Sequence, residues 1–226
     1  EQVDAALAQA RQAVEAAQTV EEVEAALAAA KEAIQAAGEL VCASDLFRDV
    51  SLDAWYHKGV DFVVRSNYME GMGNGVFGVN AAITRGQIVT ILYRMANSPS
   101  VSGKFPFTDV KEGRYYTEAV AWAYENGVVH GMSETEFAPL ASVNREQAAT
   151  MVVQYLESQG ITSDAEEVDF ADSGDISGYA VETIAKAQDL GILYGYEDIT
   201  IRPKNTLSRA EGVALLMNLV ECLEAA

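Results

Sequence analysis

The stretch NAAITRGQIVTILYRM, residues 80–95, predicts a buried helix with a cation at its beginning. Thr84 and Gln87 have the spacing of a capping box, in which each side chain bonds the backbone N–H of the other residue, so the helix should begin at Arg85. The residues that follow are apolar on most sides, which is typical of a helix inside a core. Arg85 needs an explanation, because the positive end of the helix dipole disfavours a cation.

The same pattern occurs three times, in residues 47–97, 107–157 and 170–221. Each repeat has a Phe-x-Asp motif, an aromatic residue, a loop glycine and a tetrapeptide with arginine in second place. This order predicts an outer helix, a loop, a short extended segment and a buried helix in every repeat. Three such units predict a mainly α, pseudo-threefold module with a central three-helix bundle and outer helices and loops. The equivalent residues are Asp49, Asp109 and Asp172; Trp55, Tyr115 and Tyr179; Gly71, Gly131 and Gly195; and Arg85, Arg145 and Arg209. The outer helices should end in the left-handed conformation at Asn67, Gly127 and Gly191.

Residues 1–40 precede the repeats and predict a hairpin of two alanine-rich amphipathic helices. Thr19 and Glu22 have capping-box spacing, and Gly38 is a helix stop signal. The apolar stripe consists of Val3, Leu7, Ala10, Val14, Val20, Val23, Leu27, Ala30 and Ile34, with a break at Gln18 and Thr19. We expect a spacer or stalk in residues 1–40 and a repeat domain in residues 41–226.

The amino-acid composition excludes some classes of function for this chain. The chain has 226 residues, half of them hydrophobic, and a formal net charge of −19. Such acidity argues against nucleic acid and against anionic lipid surfaces, because both partners require concentrated Lys and Arg. The sequence has no apolar run long enough for direct membrane insertion. Its first residues already have the pattern of a helix interior, so we expect a fragment of a longer protein.

The sequence contains no motif for catalysis, a cofactor or a metal. It has no nucleophile–base motif and no phosphate loop, so we do not expect an enzyme or a cofactor. Zinc is not expected, because Cys42, Cys222, His57 and His130 lack ligand spacing. The two cysteines are either buried thiols or a disulfide that joins the ends of the repeat array.

The three repeats resemble the S-layer homology domain family over residues 45–221. The resemblance includes Phe-x-Asp-Val, the aromatic residue, the Gly-x-x-x-Gly loop and the closing Thr-Arg-Ala-Glu-like tetrapeptide. It implies an extracellular module that anchors a longer surface protein to the bacterial cell wall or S-layer. It also implies a ligand, a secondary cell-wall polysaccharide with pyruvylated sugars, bound in grooves between neighbouring repeats.

The repeated residues suggest how such a ligand would be held. Each arginine, with the free amides of its helix, could bind a sugar carboxylate, or it could instead form a salt bridge with the Asp of a neighbouring Phe-x-Asp motif. If the arginines bind ligand, replacing Arg85 and Arg145 by alanine should abolish wall binding and leave the melting temperature nearly unchanged. The aromatic residues could stack on a pyranose or pack in the core. The aspartates could accept sugar hydroxyls or cap the outer helices, and the glycines could allow close approach or a positive φ.

Two features favour alternative ligands or fewer sites. The acidic surface suits polyamine-modified peptidoglycan, which some members of the family are thought to bind, or a role in self-assembly of a surface layer. The third repeat lacks the valine after Asp172, and its aromatic residue is displaced by one position. The groove of the third repeat is therefore expected to diverge most.

Overall fold

The computed structural model describes residues 2–17, 19–39 and 42–226, and it is mainly helical. The described residues contain no β-strand, only isolated bridges between extended segments. This confirms the mainly α fold class. The helices are α1 (Gln2–Ala16), α2 (Val20–Glu39), α3 (Ala43–Leu46), α4 (His57–Arg65), α5 (Arg85–Met95), α6 (Thr117–Glu125), α7 (Arg145–Ser158), α8 (Val181–Asp189) and α9 (Arg209–Ala225), with a 3-10 turn at Ser173–Asp175. In the described ranges, no helix combines the length and apolar composition needed to cross a bilayer.

The chain forms two compact units. The first contains the residues up to Ser66 together with Glu70–Phe77, and the second contains Asn67–Met69 and Gly78–Ala226. The first repeat therefore contributes residues to both units. The division into a spacer at 1–40 and a repeat domain at 41–226 stays a prediction.

In the first unit, α1 and α2 pack against each other. The capping box between them is confirmed, because Glu22 N donates to Thr19 Oγ1 at 3.2 Å and Thr19 N donates to Glu22 Oε2 at 3.1 Å. Helix α2 ends at Glu39, next to the predicted stop. The stripe remains accessible where its side chains are described, with exposures from 37% to 75% at Val14, Val20, Val23 and Leu27. The side chains of Val3, Leu7, Ala10 and Ile34, and residue Gln18, lie outside the described residues.

In the second unit, a closed ring of backbone hydrogen bonds joins the three repeats. Ile83 N donates to Leu207 O, Leu207 N donates to Val143 O, and Val143 N donates to Ile83 O, each at 3.0 Å. All three residues are buried and stand two positions before the repeated arginine. The ring therefore relates the starts of the three long helices by an approximate threefold symmetry.

The long helices α5, α7 and α9 form the core of this unit. Each begins with a complete capping box, at Thr84, Asn144 and Ser208. Helix α7 packs against both α5 and α9. The inward side chains are fully buried, including Ile88, Leu92, Val152, Leu156, Val213 and Leu216. The predicted helix ends are also confirmed, since Asn67, Gly127 and Gly191 have φ values of 56°, 69° and 66°.

Candidate functional site

The backbone at the start of each long helix is already bonded within the chain. Arg85 N donates to Ala141 O at 3.0 Å, and Gly86 N donates to Pro139 O at 2.9 Å. The third N–H group bonds the N-cap side chain, as Gln87 N does with Thr84 Oγ1. The equivalent donors Arg145 and Arg209 bond the carbonyls of Asn205 and Ala81. The prediction that free helix amides face an anion is therefore wrong.

The side chain of Arg85 is buried and holds the loop of the second repeat. Its Nε donates to Phe137 O at 2.8 Å and its Nη2 to His130 O at 3.2 Å. The guanidinium carbon lies 4.7 Å from the centre of the Phe137 ring, a cation–π distance. A planar, multiply donating group suits this position, where lysine could not make all three contacts. The core contacts of Arg85 explain why arginine starts this helix.

The charge of Arg85 has no ion-pair partner among the described residues. The alternative of a salt bridge to a neighbouring Phe-x-Asp carboxylate is therefore wrong for this residue. Burial lowers the pKa of Arg85, and the nearby Tyr179 and Asp109 oppose that shift. Arginine nevertheless stays protonated in proteins. Nη1 has no hydrogen-bond partner in the part of the chain that the structure describes.

Arg145 makes equivalent contacts but is also neutralised. Its Nε and Nη2 donate to Ile201 O and Tyr194 O, at 2.7 and 3.2 Å. In addition, its Nη1 lies 3.4 Å from Glu211 Oε1. Arg209 is likewise buried, with 4% of its surface exposed. The two arginines whose contacts are described therefore differ in charge compensation.

The three aspartates bind the backbone of their own repeats. Asp49 Oδ1 accepts from Phe77 N at 2.7 Å. Asp109 uses both oxygens, accepting from Phe137 N at 2.9 Å and Ala138 N at 2.6 Å. Asp172 does the same with Ile201 N and Arg202 N, at 2.8 and 2.7 Å. The N-cap alternative is wrong, since the residues before α4, α6 and α8 are Tyr56, Tyr116 and Ala180.

The three loop glycines allow close packing rather than an unusual backbone angle. A Cβ atom at Gly131 would lie 2.6 Å from Phe107 Cε1, and one at Gly195 would lie 2.9 Å from Phe170 Cε1. Gly71 meets Phe47 in the same way. None of the three has a positive φ, so that alternative is wrong. Each glycine makes room for the Phe of its own Phe-x-Asp motif.

The three aromatic residues are exposed. Trp55, Tyr115 and Tyr179 keep 67%, 56% and 59% of their surface accessible. The core-packing alternative is therefore wrong, and their ring faces can meet a ligand. Within the second unit, Tyr115 and Tyr179 line different clefts.

A cleft of about 550 Å³ brings together one predicted residue from each repeat: Arg85, Gly131 and Tyr179. We call it the Arg85 cleft. Polar side chains of α7 and α8, including Thr150, Gln154 and Thr183, share the remaining wall with apolar side chains such as Met132 and Met151. A second cleft of about 450 Å³ contains Asp109 and Tyr115 with Lys111 and Arg114. Asp109 and Tyr115 thus line a different cleft from Arg85, although Asp109 is close enough to act on the pKa of Arg85.

Glu146, beside the Arg85 cleft, was not predicted from the sequence. It is 2% exposed and accepts hydrogen bonds from Ser177 N at 3.0 Å, Tyr179 Oη at 3.2 Å and Lys204 Nζ at 2.7 Å. Burial raises its pKa, but the hydrogen bonds from Lys204 and Ser177 outweigh burial and the net shift is downward. Burial and the charge of Glu146 raise the pKa of Tyr179 to about 12, so Tyr179 remains a neutral donor. The available sequence signal was that Glu146 occupies the tetrapeptide position held by glycine or alanine in the other repeats.

Of the two alternatives for the cysteines, the structure has the free thiols and not the disulfide. Cys42 and Cys222 are both half-buried thiols. Cys42 instead lies beside His57 and Asp61. Zinc is not expected from the sequence, because the cysteines and histidines lack ligand spacing along the chain. Folding nevertheless brings a thiol, an imidazole and a carboxylate together at Cys42, His57 and Asp61.

Comparison with known proteins identifies the repeats. The family model of the S-layer homology domain matches residues 46–89, 106–149 and 169–211. The chain is 29% identical, over 77% of its length, to an amylopullulanase of Thermoanaerobacterium thermosulfurigenes and covers 9% of that protein. It is 27% identical, over 77% of its length, to the surface-layer 125 kDa protein of Lysinibacillus sphaericus, covering 15% of it. It is 28% identical, over 68% of its length, to the cellulosome-anchoring protein of Acetivibrio thermocellus, covering 35% of it.

The chain therefore spans only a small part of these relatives. The family match and the surface-protein relatives locate it outside the cell, at the bacterial surface. Because the family model matches all three repeats and more than half of the residues, the chain belongs to the S-layer homology domain family.

Proposed function

We propose that this chain anchors a longer surface protein non-covalently to the bacterial cell wall, and that the Arg85 cleft binds an acidic sugar of a secondary cell-wall polysaccharide. The observation that carries the proposal is the charge of Arg85. Its guanidinium is held rigidly at the cleft wall and has no ion-pair partner among the described residues, whereas Arg145 is paired with Glu211. A fixed guanidinium favours a carboxylate ligand, such as that of a pyruvylated sugar.

The remainder of the cleft suits a carbohydrate. The exposed ring of Tyr179 provides a flat face for a pyranose, and its hydroxyl remains protonated. Thr150, Gln154 and Thr183 provide polar groups for sugar hydroxyls. The volume of about 550 Å³ lies within the usual range for small-ligand sites. Ligand binding in grooves at Arg145 and Arg209 remains a prediction from the sequence.

The net charge of −19 does not exclude an anionic polymer. Charges separated by more than about 8–10 Å are largely screened at physiological salt. The attraction to Arg85 acts at contact distance in a partly enclosed cleft, where screening is weaker. We therefore expect slow association and a local, specific attraction.

The test is binding of the full chain to purified wall sacculi, before and after chemical removal of the polysaccharide. Binding should be lost with the polysaccharide. Tyr179→Ala should weaken it about tenfold, equal to about 1.4 kcal/mol, because the stacking face is lost. Tyr179→Phe should bind almost normally, since it keeps the ring and loses only the bond to Glu146.

Tyr179→Phe is therefore the matched control, and Tyr115→Ala measures whether the second cleft also contributes to binding. Unchanged binding by Tyr179→Ala, with native melting behaviour, would show that the Arg85 cleft is not the site. Self-association that persists without any wall would instead support an assembly role.

The sign of the salt dependence separates an acidic ligand from a polyamine-modified one. With an acidic polysaccharide, adding salt from a low ionic strength should raise the association rate, because it screens repulsion from the acidic chain. With a cationic ligand the rate should fall. A falling rate would contradict the proposed ligand and favour modified peptidoglycan.

A further inference from the structure

We infer that Cys42, His57 and Asp61 form a binding site for a thiophilic divalent cation of the zinc type. Cys42 Sγ lies 2.8 Å from His57 Nε2, and His57 Nε2 lies 3.9 Å from Asp61 Oδ1. The three potential ligand atoms all lie within 4.8 Å of one another. The site lies within the first unit and is independent of the proposed wall ligand.

The local fold explains why these residues meet. His57 and Asp61 are four residues apart at the start of α4, so they share one face of that helix. Cys42 has an extended backbone and directly precedes the short helix α3. A hydrogen bond from Ala43 N to Asp61 Oδ1, at 2.6 Å, holds this segment against α4.

The ligand types select the cation. A thiolate with an imidazole and a carboxylate suits zinc and related borderline metals, whereas calcium and magnesium require oxygen ligands. Around a tetrahedral zinc, the sulfur and nitrogen atoms would be roughly 3.5 Å apart and the nitrogen and oxygen atoms roughly 3.3 Å apart, from usual bond lengths. The observed 2.8 and 3.9 Å therefore require shifts of less than about 1 Å, within side-chain rotation.

The surroundings also fit a bound cation. The side chains of His57 and Asp61 are 12% and 16% exposed, and Cys42 is half-buried, so the cluster is shielded but reachable. The Ala43 N–H that bonds Asp61 is an outer contact of the kind that orients metal ligands. A bound divalent cation would compensate the charges of a deprotonated Cys42 and of Asp61, whose other oxygen, Oδ2, lies 3.7 Å from Arg65 Nη2. Three protein ligands leave a fourth position for water.

The experiment titrates the reduced, metal-free full chain with Co²⁺ and Zn²⁺. We expect one equivalent of Co²⁺ to bind with the absorption of thiolate-to-cobalt charge transfer, and Zn²⁺ to displace it. Cys42→Ser should abolish that absorption, and Asp61→Asn should weaken binding by at least about tenfold, as loss of a contact in the metal site does. Cys222→Ser and His130→Ala are matched controls and should bind normally.

A second measurement needs no substitution at the site. Zn²⁺ should slow alkylation of Cys42 and leave alkylation of Cys222 unchanged. The inference is overturned if no stoichiometric binding occurs, if Cys42→Ser keeps the cobalt absorption, or if Zn²⁺ protects neither cysteine.

Discussion

The arginine of each tetrapeptide is buried in the protein's own packing, and we propose that in one repeat, at Arg85, its charge also attracts a ligand. Arg85 and Arg145 each bond two backbone carbonyls of the following repeat and lie over an aromatic ring. Only Arg145 has a described carboxylate partner. We therefore expect mutation of these arginines to perturb folding, so the exposed Tyr179 is a better probe of the proposed ligand site.

We predict that Arg85→Ala lowers the free energy of unfolding by about 2–4 kcal/mol, because it leaves the buried Phe137 carbonyl and the partly buried His130 carbonyl without donors and removes a cation–π contact. This prediction differs from the one made from the sequence, in which replacing Arg85 and Arg145 by alanine leaves the melting temperature nearly unchanged. Urea denaturation provides the measurement, and the exposed Arg114→Ala is the control, with a change within about 0.5 kcal/mol. Equal stability of Arg85→Ala and the unmodified chain would contradict a packing role.

At the scale of elements, the long helices begin where neighbouring repeats touch. The first N–H groups of α5 bond the loop around Pro139, so this helix start is an inter-repeat contact. The capping boxes define where each helix begins, and the backbone bonds define which loop it meets. Small residues near the helix start are therefore under packing constraints that helix propensity does not describe.

Two helical glycines test that constraint. Alanine is favoured over glycine in a helix by about 1 kcal/mol, so Gly→Ala normally stabilises. At Gly86, however, a Cβ atom would lie 2.8 Å from Pro139 O, the carbonyl that Gly86 N bonds. We predict that Gly86→Ala destabilises by about 1–3 kcal/mol through this clash. Gly212→Ala, whose nearest neighbour is Ile83 Cδ1 at 3.4 Å, should stabilise by up to about 1 kcal/mol.

Thermal and urea unfolding of both variants measure the difference. A stabilised Gly86→Ala would mean that the Pro139 loop moves away freely, and the inter-repeat bond would then contribute little.

At the scale of the whole molecule, the second unit is held by contacts between residues distant in sequence. The ring of backbone hydrogen bonds between Ile83, Val143 and Leu207 connects all three repeats. Glu146 adds a buried charge that joins the second repeat to Ser177 and Lys204 of the third. Acid should weaken this connection, because protonation removes the charge that these donors bond.

We predict that Glu146 stabilises the fold above about pH 4.5, its ordinary pKa, and that this contribution is lost as the pH falls through its lowered folded pKa. Glu146→Gln should therefore be less stable than the unmodified chain by about 1–2 kcal/mol at pH 7. The loss is not larger because Lys204, the cation paired with Glu146, is half exposed. The difference between the two proteins should shrink towards zero in acid. Urea denaturation across this pH range measures it, and a constant difference would contradict the assignment.

The sequence alone determined the local elements of this protein. The three repeats, the capping boxes at Thr84, Asn144 and Ser208 and the left-handed helix ends follow from interactions within a few residues. Such short-range patterns have few alternatives, since hydrophobic periodicity and cap chemistry act on neighbouring positions. The mainly α class and the repeat family follow from them.

The hydrogen-bond partners of the polar residues are determined only by the tertiary structure. Asp109 bonds Phe137, 28 residues away, and Arg85 bonds the same residue from 52 residues away. A single sequence contains many carboxylates and carbonyls at such separations, and nothing local selects among them. For the same reason, the sequence did not predict the Arg85 cleft, whose lining comes from three repeats. It also did not predict that Cys42 lies beside His57 and Asp61. Long-range partners are chosen by the packing of the complete core, and this packing becomes defined only when the chain is folded.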